Sequence, residues 1–183
     1  MAQHPIKTLL REHAEIMAEV GHMRLAVQQL ADQGDAAVAE ALPVFAAVAQ
    51  MMATQLELHR QKEDQVFFPA IEAVIGQFGP TSVMRIEHQQ IHAQGVLLRE
   101  TLYELNQVQH PAIEAGAAKL RGLVAAGGSA VALRRAGEEI IDLLNSHFGK
   151  EEHILFPMAQ SLLDGVALSE IAARFEEMDA AGV

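Results

Sequence analysis

The chain has 183 residues, no cysteine and a formal net charge of -11. This length suits one well-buried domain, and the absence of cysteine excludes disulfides, thiolate chemistry and cysteine-based zinc or iron–sulfur sites. The acidic balance argues against nucleic acid and anionic membranes as partners. Met1 to Glu12 lacks the apolar segment of a signal peptide, and no uninterrupted apolar run reaches membrane-spanning length, so we expect a cytoplasmic protein.

Ala, Leu, Glu, Gln and Met dominate the composition, which favours helices over strands. Apolar residues recur every three or four positions from Pro5, and Gly34 predicts the end of this first helix. A second helix is expected from Pro43 to a break at Pro69, a third from Pro80 to His110, and a fourth from Ala130 to a break at Pro157.

Two weaker patterns predict a short helix from Pro111 to Ala126 and an amphipathic C-terminal helix from Leu168 to Met178. The predicted fold is all-α: an antiparallel up-down-up-down four-helix bundle with an extra short helix between helices 3 and 4 and a short C-terminal helix. We expect residues 1–183 to form a single domain, with the core bundle at 5–160 and the C-terminal helix and tail at 161–183.

An eleven-residue segment occurs twice in the chain. The segment from His59 to Pro69 returns 88 positions later from His147 to Pro157, with His, Lys, Glu, a second acid, Phe and Pro in the same places. On a helix, His and Glu four residues apart share one face. A single His-x-x-x-Glu has little meaning, but its repetition within a longer segment that occurs twice in the chain indicates a pair of related sites.

The repetition extends to the first and third helices, where Glu12-His13 corresponds to Glu87-His88. The two halves differ where Met17 stands in place of His92. The chain therefore consists of two helical hairpins, and each contributes a Glu-His pair and a His-x-x-x-Glu pair. Lys62 and Lys150, which precede the glutamates, are expected to reach solvent, with a role in closing the end of the bundle as the alternative.

Seven ionisable side chains fall on the apolar stripes of the four predicted helices: His13, His59, Glu63, His88, His92, His147 and Glu151. A single histidine on such a stripe is more often a hydrogen-bonded core residue than a ligand. Seven groups buried together without a cation would cost many kcal/mol in desolvation and repulsion. We therefore predict a metal site from these residues, and expect His4, His22, His110 and His153 to face solvent.

A count of ligands predicts two metal ions with one open coordination position. Five imidazoles, two bridging carboxylates and a shared oxo or hydroxo group fill all but one of the positions of two octahedral metals. His92 has no counterpart at Met17, so the opening is expected on the metal held by His13 and His59. Imidazole and carboxylate ligands suit iron, zinc, manganese or copper.

The motifs Glu12-His13, His59-x-x-x-Glu63, Glu87-His88-x-x-x-His92 and His147-x-x-x-Glu151 resemble those of the hemerythrin family, specifically its bacterial HHE cation-binding domains. The resemblance implies two non-haem iron ions bridged by Glu63 and Glu151, with zinc or manganese as substitutes. It also implies O2, NO or peroxide as a ligand. The oxygen carriers of the family place an Asp five residues after the fourth-helix histidine, a position that Glu152 occupies here.

Three functions are compatible with these residues. The chain is expected to bind or sense a small molecule, or to handle iron. Alternatives are a diiron peroxidase, oxidase or NO reductase on the same site, and a metal-stabilised module that responds to iron or redox state. The Ala-rich segment from Ala36 to Ala53 leaves a homodimer open.

Overall fold

A computed structural model describes residues 4–77, 79–109 and 128–181, and all regular structure in these ranges is helical. The elements are α1 Pro5–Gln33, a 3-10 turn Gly34–Ala37, α2 Val38–Ala53, α3 Gln55–Lys62, a π-helical turn Glu63–Phe67, α4 Phe68–Ile75, α5 Pro80–Gln109, α6 Gly128–Lys150, a π-helical turn Glu151–Leu155, α7 Phe156–Leu162 and α8 Gly165–Ala181. The predicted all-α class is confirmed. The helix predicted from Pro111 to Ala126 lies outside the described residues, as does His110.

The long helices form a bundle in which each packs against two others. α1 contacts α2 and α6, and α5 contacts the same two helices. The predicted end of α1 is observed, because Gly34 follows it with a φ of 60°, a conformation that glycine adopts at little cost. α8 extends further in both directions than predicted and buries Ile171 and Phe175 against one end of the bundle.

The apolar core consists of two clusters that are separated by a polar layer. On α1, Leu9 belongs to one cluster and Ile16 to the other, and His13 lies between them. The same change of cluster occurs on α5 between Met84 and Ile91. The buried histidines and glutamates of the long helices therefore lie at the same level of the bundle, between the two apolar clusters.

The prolines do not break the helices where the sequence predicted breaks. A wide turn precedes each one: the Phe68 N–H donates to the Glu63 carbonyl, and the Phe156 N–H donates to the Glu151 carbonyl, five residues earlier. Pro69 and Pro157 then lie in the first turn of the following helix, where a missing N–H costs little.

The second predicted helix also differs in its start and continuity. It begins at Val38, so Pro43 lies inside α2 on an exposed face, where the lost hydrogen bond leaves a carbonyl accessible to water. It is interrupted at Thr54, whose hydroxyl donates to the Gln50 carbonyl at 2.9 Å. Such back-bonding by threonine is known to bend helices.

One helical stretch, within Pro5–Ile75, is long and apolar enough by length and composition to cross a membrane. However, 50% of its most apolar window is buried inside the protein. The core helix of a soluble protein meets the same criteria, so this is a weak indication of membrane insertion.

Gly137 marks the closest approach of α6 to its neighbours. A Cβ atom at this position would lie 2.5 Å from Val27 Cγ2 and 3.1 Å from Phe45 Cε1. Because Val27 and Phe45 are both part of the buried core, neither side chain has free space into which it could move.

We predict that Gly137→Ala lowers the free energy of unfolding by about 1 to 3 kcal/mol through overpacking. The matched control is Gly21→Ala, in the interior of α1, where an added Cβ meets nothing within 4 Å. This control should raise stability by up to about 1 kcal/mol, because alanine is the better helix former. Chemical denaturation of both metal-free variants measures the difference, and equal effects would contradict the packing account.

Candidate metal centre

Six buried side chains from four parts of the chain converge in the polar layer. They form two groups that share both glutamates: His13, His59, Glu63 and Glu151 in one, and Glu63, His88, His147 and Glu151 in the other. Within each group, one potential ligand atom per residue lies within 4.8 Å of all the others. The shared position of Glu63 and Glu151 gives the geometry of two adjacent cation sites with two carboxylates between them.

The π-helical turns place the two glutamates. Each turn begins at a shared glutamate, Glu63 or Glu151, whose carbonyl accepts the wide hydrogen bond. Adjacent residues point about 100° apart on a helix, so the acid after each glutamate faces a different neighbour. Asp64 therefore reaches α5, and Glu152 reaches α1. Wide turns of this kind occur often at functional sites.

Each of the four convergent histidines has its Nδ1 held by a carboxylate from another helix. The Nδ1 distances are 2.8 Å from His13 to Glu152, 2.9 Å from His59 to Glu12, 3.0 Å from His88 to Asp64 and 3.1 Å from His147 to Glu87. When the Nδ1–H donates a hydrogen bond to a carboxylate, the Nε2 atom carries a lone pair that faces the site. This is the usual orientation of a histidine that binds a metal.

Sequence reasoning missed the role of these four carboxylates. Glu12 and Glu87 immediately precede His13 and His88, and Asp64 and Glu152 immediately follow Glu63 and Glu151, so each supporting acid is adjacent to a convergent residue in the sequence. The repeated acidic neighbours were the available signal. Their partners lie on other helices, however, and only the packing of the bundle identifies them.

The nitrogen and oxygen atoms that face one another across the site are close enough to share either a proton or a metal ion. His13 Nε2 lies 3.1 Å from His59 Nε2, and His88 Nε2 lies 3.2 Å from Glu63 Oε2. Two nitrogens bound to one metal at about 2.1 Å and at right angles would be about 3 Å apart, which matches the first distance. The donor set therefore fits a metal.

The carboxylate oxygens of the shared glutamates support the same conclusion. Both oxygens of Glu63 and both oxygens of Glu151 are buried without a well-formed hydrogen bond, and their ion-pair contacts in the described part of the chain, at 3.2 to 3.5 Å, are with imidazole Nε2 atoms of the same layer. Buried carboxylates are normally paired or bound to a metal, because an isolated charge is expensive to desolvate. Four such oxygens in one layer are the pattern that bound cations would resolve.

In the metal-free layer, bound protons supply the positive charge that a metal ion would otherwise bring. Burial raises the pKa of Glu63, and burial together with the nearby Glu63 raises the pKa of Glu151 to about 7. Burial opposes the charged form of His88, but its bonds to Asp64 and Glu63 prevail and raise its pKa to about 9. Burial and the neighbouring His88 charge lower the pKa of His147 to about 3.

Asp64 and Glu152, which bond to the Nδ1 atoms of His88 and His13, differ in their ion pairs with basic side chains. Asp64 accepts bonds from Arg60 at 2.6 Å and from Arg85 at 3.1 Å. Glu152 is 36% exposed, and within the described ranges no lysine or arginine is paired with it. The support for His13 is therefore looser than the support for His88.

Lys62 and Lys150 also differ between the two halves. Lys62 was expected to reach solvent, but its side chain is only 1% exposed. It lies between Glu12 and Asp179 of α8, with its ammonium 5.7 Å from the centre of the Phe175 ring. Because α8 covers this side of the bundle, Lys62 is buried there, while Lys150 stays partly exposed beside Glu87.

His92 is the one predicted ligand that the structure does not bring into either group. Its side chain is exposed, and it lies at a cavity of about 130 Å³ that is also lined by His59, His88 and His147. Its role as a fifth imidazole stays a prediction. Among the histidines expected outside the site, His22 and His153 are exposed and His4 is partly buried.

The fold and this donor set define a helical protein with a buried imidazole–carboxylate metal centre. The family model described as "Hemerythrin HHE cation binding domain" matches residues 4–125 and 101–181. The chain belongs to this family, as the sequence motifs indicated.

Among curated proteins, the chain is similar to several named "Iron-sulfur cluster repair protein YtfE". The protein from Escherichia coli O81 (strain ED1a) is 33% identical over 113 residues, which is 60% of this chain and 44% of that protein. The protein from Escherichia coli O157:H7 is 32% identical over 113 residues, again 60% of this chain and 44% of that protein. The chain thus spans less than half the length of these relatives. The family and the relatives support an iron- or metal-related function.

We predict that metal affinity rises with pH. In the metal-free protein, His88 holds a proton up to about pH 9 and Glu151 holds one up to about pH 7, and a bound metal must displace both. The apparent affinity should increase at least about tenfold per pH unit between these values and at least about a hundredfold per unit below the lower one, since Glu63, whose pKa is also raised, adds to the protons that the metal displaces. Competition with a chromophoric chelator measures this, and an affinity independent of pH would contradict the site geometry.

Proposed function

We propose that this protein is a non-haem diiron protein of the hemerythrin type that binds or senses a small molecule. The observation that carries the proposal is the pair of ligand groups sharing Glu63 and Glu151, whose buried carboxylates form ion-pair contacts, in the described part of the chain, only with the imidazoles of the same layer. In this proposal, His13 and His59 hold one iron, His88 and His147 hold the other, and the two glutamates bridge them. Zinc or manganese could replace iron in such a donor set.

Aromatic rings pack against two of the proposed ligands. The His13 ring stacks on Phe148 with centroids 3.9 Å apart, and the His88 ring stacks on Phe68 at 5.6 Å. These contacts hold the two imidazoles in place. A pair of iron ions would supply reversible one-electron steps and open coordination positions.

The cavity beside the site limits the size of the ligand. At about 130 Å³ it is well below the volume that drug-sized substrates require. Met52, Leu56 and Ile91 form apolar walls, and three of the convergent imidazoles lie on its inner side. O2, NO and peroxide fit this space, and the same contacts leave a diiron peroxidase, oxidase or NO reductase as an alternative.

Iron handling is a second candidate, and one observation favours it. Glu152 positions His13 from a partly exposed site without a cation paired to it in the described part of the chain. A metal on the His13 side would therefore be held less firmly than its neighbour and would exchange first. An exchangeable iron suits a role in iron–sulfur cluster repair, the activity for which the similar proteins are named.

Two features of the cellular and structural setting complete the proposal. Helices that follow one another in sequence pack side by side, which supports an up-down-up-down order of α1, α2–α4, α5 and α6–α7. The acidic balance and the burial of the apolar helical window support a cytoplasmic protein.

The test is a metal count on a set of variants loaded with iron under anaerobic conditions. We expect two iron ions per wild-type chain. His13→Gln removes a ligand that belongs to one group, so one iron should remain, whereas Glu63→Ala removes a shared ligand and should weaken both sites. His22→Gln is the control, because His22 is exposed and 3.5 Å from Glu19, outside the layer.

The same samples distinguish the candidates. A reversible spectral change on cycles of reduction and exposure to O2 or NO would support binding or sensing. Preferential loss of a single iron to a chelator, faster in Glu152→Gln than in the wild type, would support iron handling. One iron per wild-type chain, or the same count in the His13→Gln and Glu63→Ala variants, would contradict the diiron proposal.

A further inference from the structure

The cavity beside the polar layer has an uneven distribution of charge. Its inner side is formed by His59, His88 and His147, and its outer side carries the exposed His92 and Arg99. We propose that this outer side is an admission site for small monovalent anions of the size of nitrite, with Arg99 as the principal cation. The inference rests on the proposed function, because it names the chemical class of the ligand that reaches the same site.

The cavity mouth has an uncompensated positive charge. Arg60 is neutralised, since it donates to Glu57 at 2.5 Å and to Asp64 at 2.6 Å. For Arg99, no carboxylate lies within ion-pair distance anywhere in the described ranges. The charged side chains that line the cavity are Glu57, Arg60 and Arg99, so their formal charges sum to +1 in a chain whose formal net charge is -11. Such a local field raises the rate at which anions arrive.

His92 lines the same mouth as Arg99, and its side chain is exposed there. In the described ranges no carboxylate forms an ion pair with its ring, in contrast to the rings of the four convergent histidines. This imidazole is therefore available to donate a hydrogen bond to an anion.

Gly95 keeps the passage open between the mouth and the imidazoles. A Cβ at this position would lie 3.2 Å from Met52 Cε and 3.8 Å from Arg99 Nη1. An added Cβ would therefore press on Met52, one of the apolar walls of the cavity, and would touch the Arg99 guanidinium at ordinary contact distance. Met52 and Ile91 supply the apolar surface between the outer cation and the inner nitrogens.

The size and charge of the site select the class of anion. The volume of about 130 Å³ suits a triatomic ion, and a single uncompensated arginine balances one negative charge. Phosphate or sulfate would need more donors than Arg99 and His92 provide. Nitrite and azide are therefore the appropriate probes.

The kinetic experiment compares an anionic with a neutral ligand. In iron-loaded protein, Arg99→Glu should slow the association of azide and nitrite with the oxidised form by about tenfold at low salt. It should leave the association of NO with the reduced form unchanged. Added salt should reduce the difference between the wild type and the variant, because the mouth is exposed to solvent.

The matched control is Arg135→Glu, which makes the same change in net charge on an exposed face of α6, outside the cavity. This control should leave azide association within about twofold of the wild type, because its charge lies outside the mouth and is screened. Equal slowing in both variants, or equal slowing of azide and NO in Arg99→Glu, would overturn the proposal.

A second readout uses zinc-loaded protein, in which no redox chemistry occurs. Titration with nitrite should shift the Arg99 Nε–H resonance, and the shift should be absent with glycerol, a neutral probe. An unshifted resonance in a protein that has taken up its metals would overturn the anion site while leaving the diiron proposal intact. Failure to take up any metal would instead contradict the proposed function.

Discussion

The burial of Glu63 and Glu151 without hydrogen-bond partners is the constraint on which the rest of the structure depends. Two fully buried carboxylates in one layer are unfavourable in a metal-free chain, because desolvation and mutual repulsion both oppose their ionisation. The Nε2 atoms of His13 and His59 lie 3.1 Å apart, a distance that requires a proton or a metal ion between them. A pair of cations removes all of these conflicts at once, so the layer is best understood as a site built for metal binding.

The remainder of the bundle holds the ligands in place. Two apolar clusters above and below the layer fix the helices, and the stacked Phe148 and Phe68 fix two of the rings. The carboxylates at Nδ1 set the orientation of each imidazole. The two halves repeat this plan but differ in two respects. Lys62 is buried by α8, whereas Lys150 is partly exposed. Asp64 has two arginine partners, whereas Glu152 is paired with no lysine or arginine in the described part of the chain. This asymmetry gives the two ligand groups different environments.

The sequence predicted much of this arrangement because repetition reveals what helical periodicity alone cannot. The recurrence of His-x-x-x-Glu before Phe-Pro identified His59, Glu63, His147 and Glu151, and the apolar stripes identified the level of the layer. The departures have local causes. Pro69 and Pro157 are accommodated by wide turns, which depend on hydrogen bonds five residues apart that no residue type specifies. His92 shares the stripe of His88 by spacing, but its side chain lies at the exposed edge of the cavity, whereas Glu63 and Glu151, at the same spacing from His59 and His147, are buried. A π-helical turn begins at each of these glutamates, whereas α5 continues through His92 as a regular helix.

A crystal of the iron-loaded protein, with anomalous differences collected on both sides of the iron absorption edge, tests the central claim most directly. The account predicts two iron peaks in the polar layer, one beside the Nε2 atoms of His13 and His59 and one beside those of His88 and His147, with Glu63 and Glu151 between them. A single peak, or peaks bound by residues outside this layer, would contradict it.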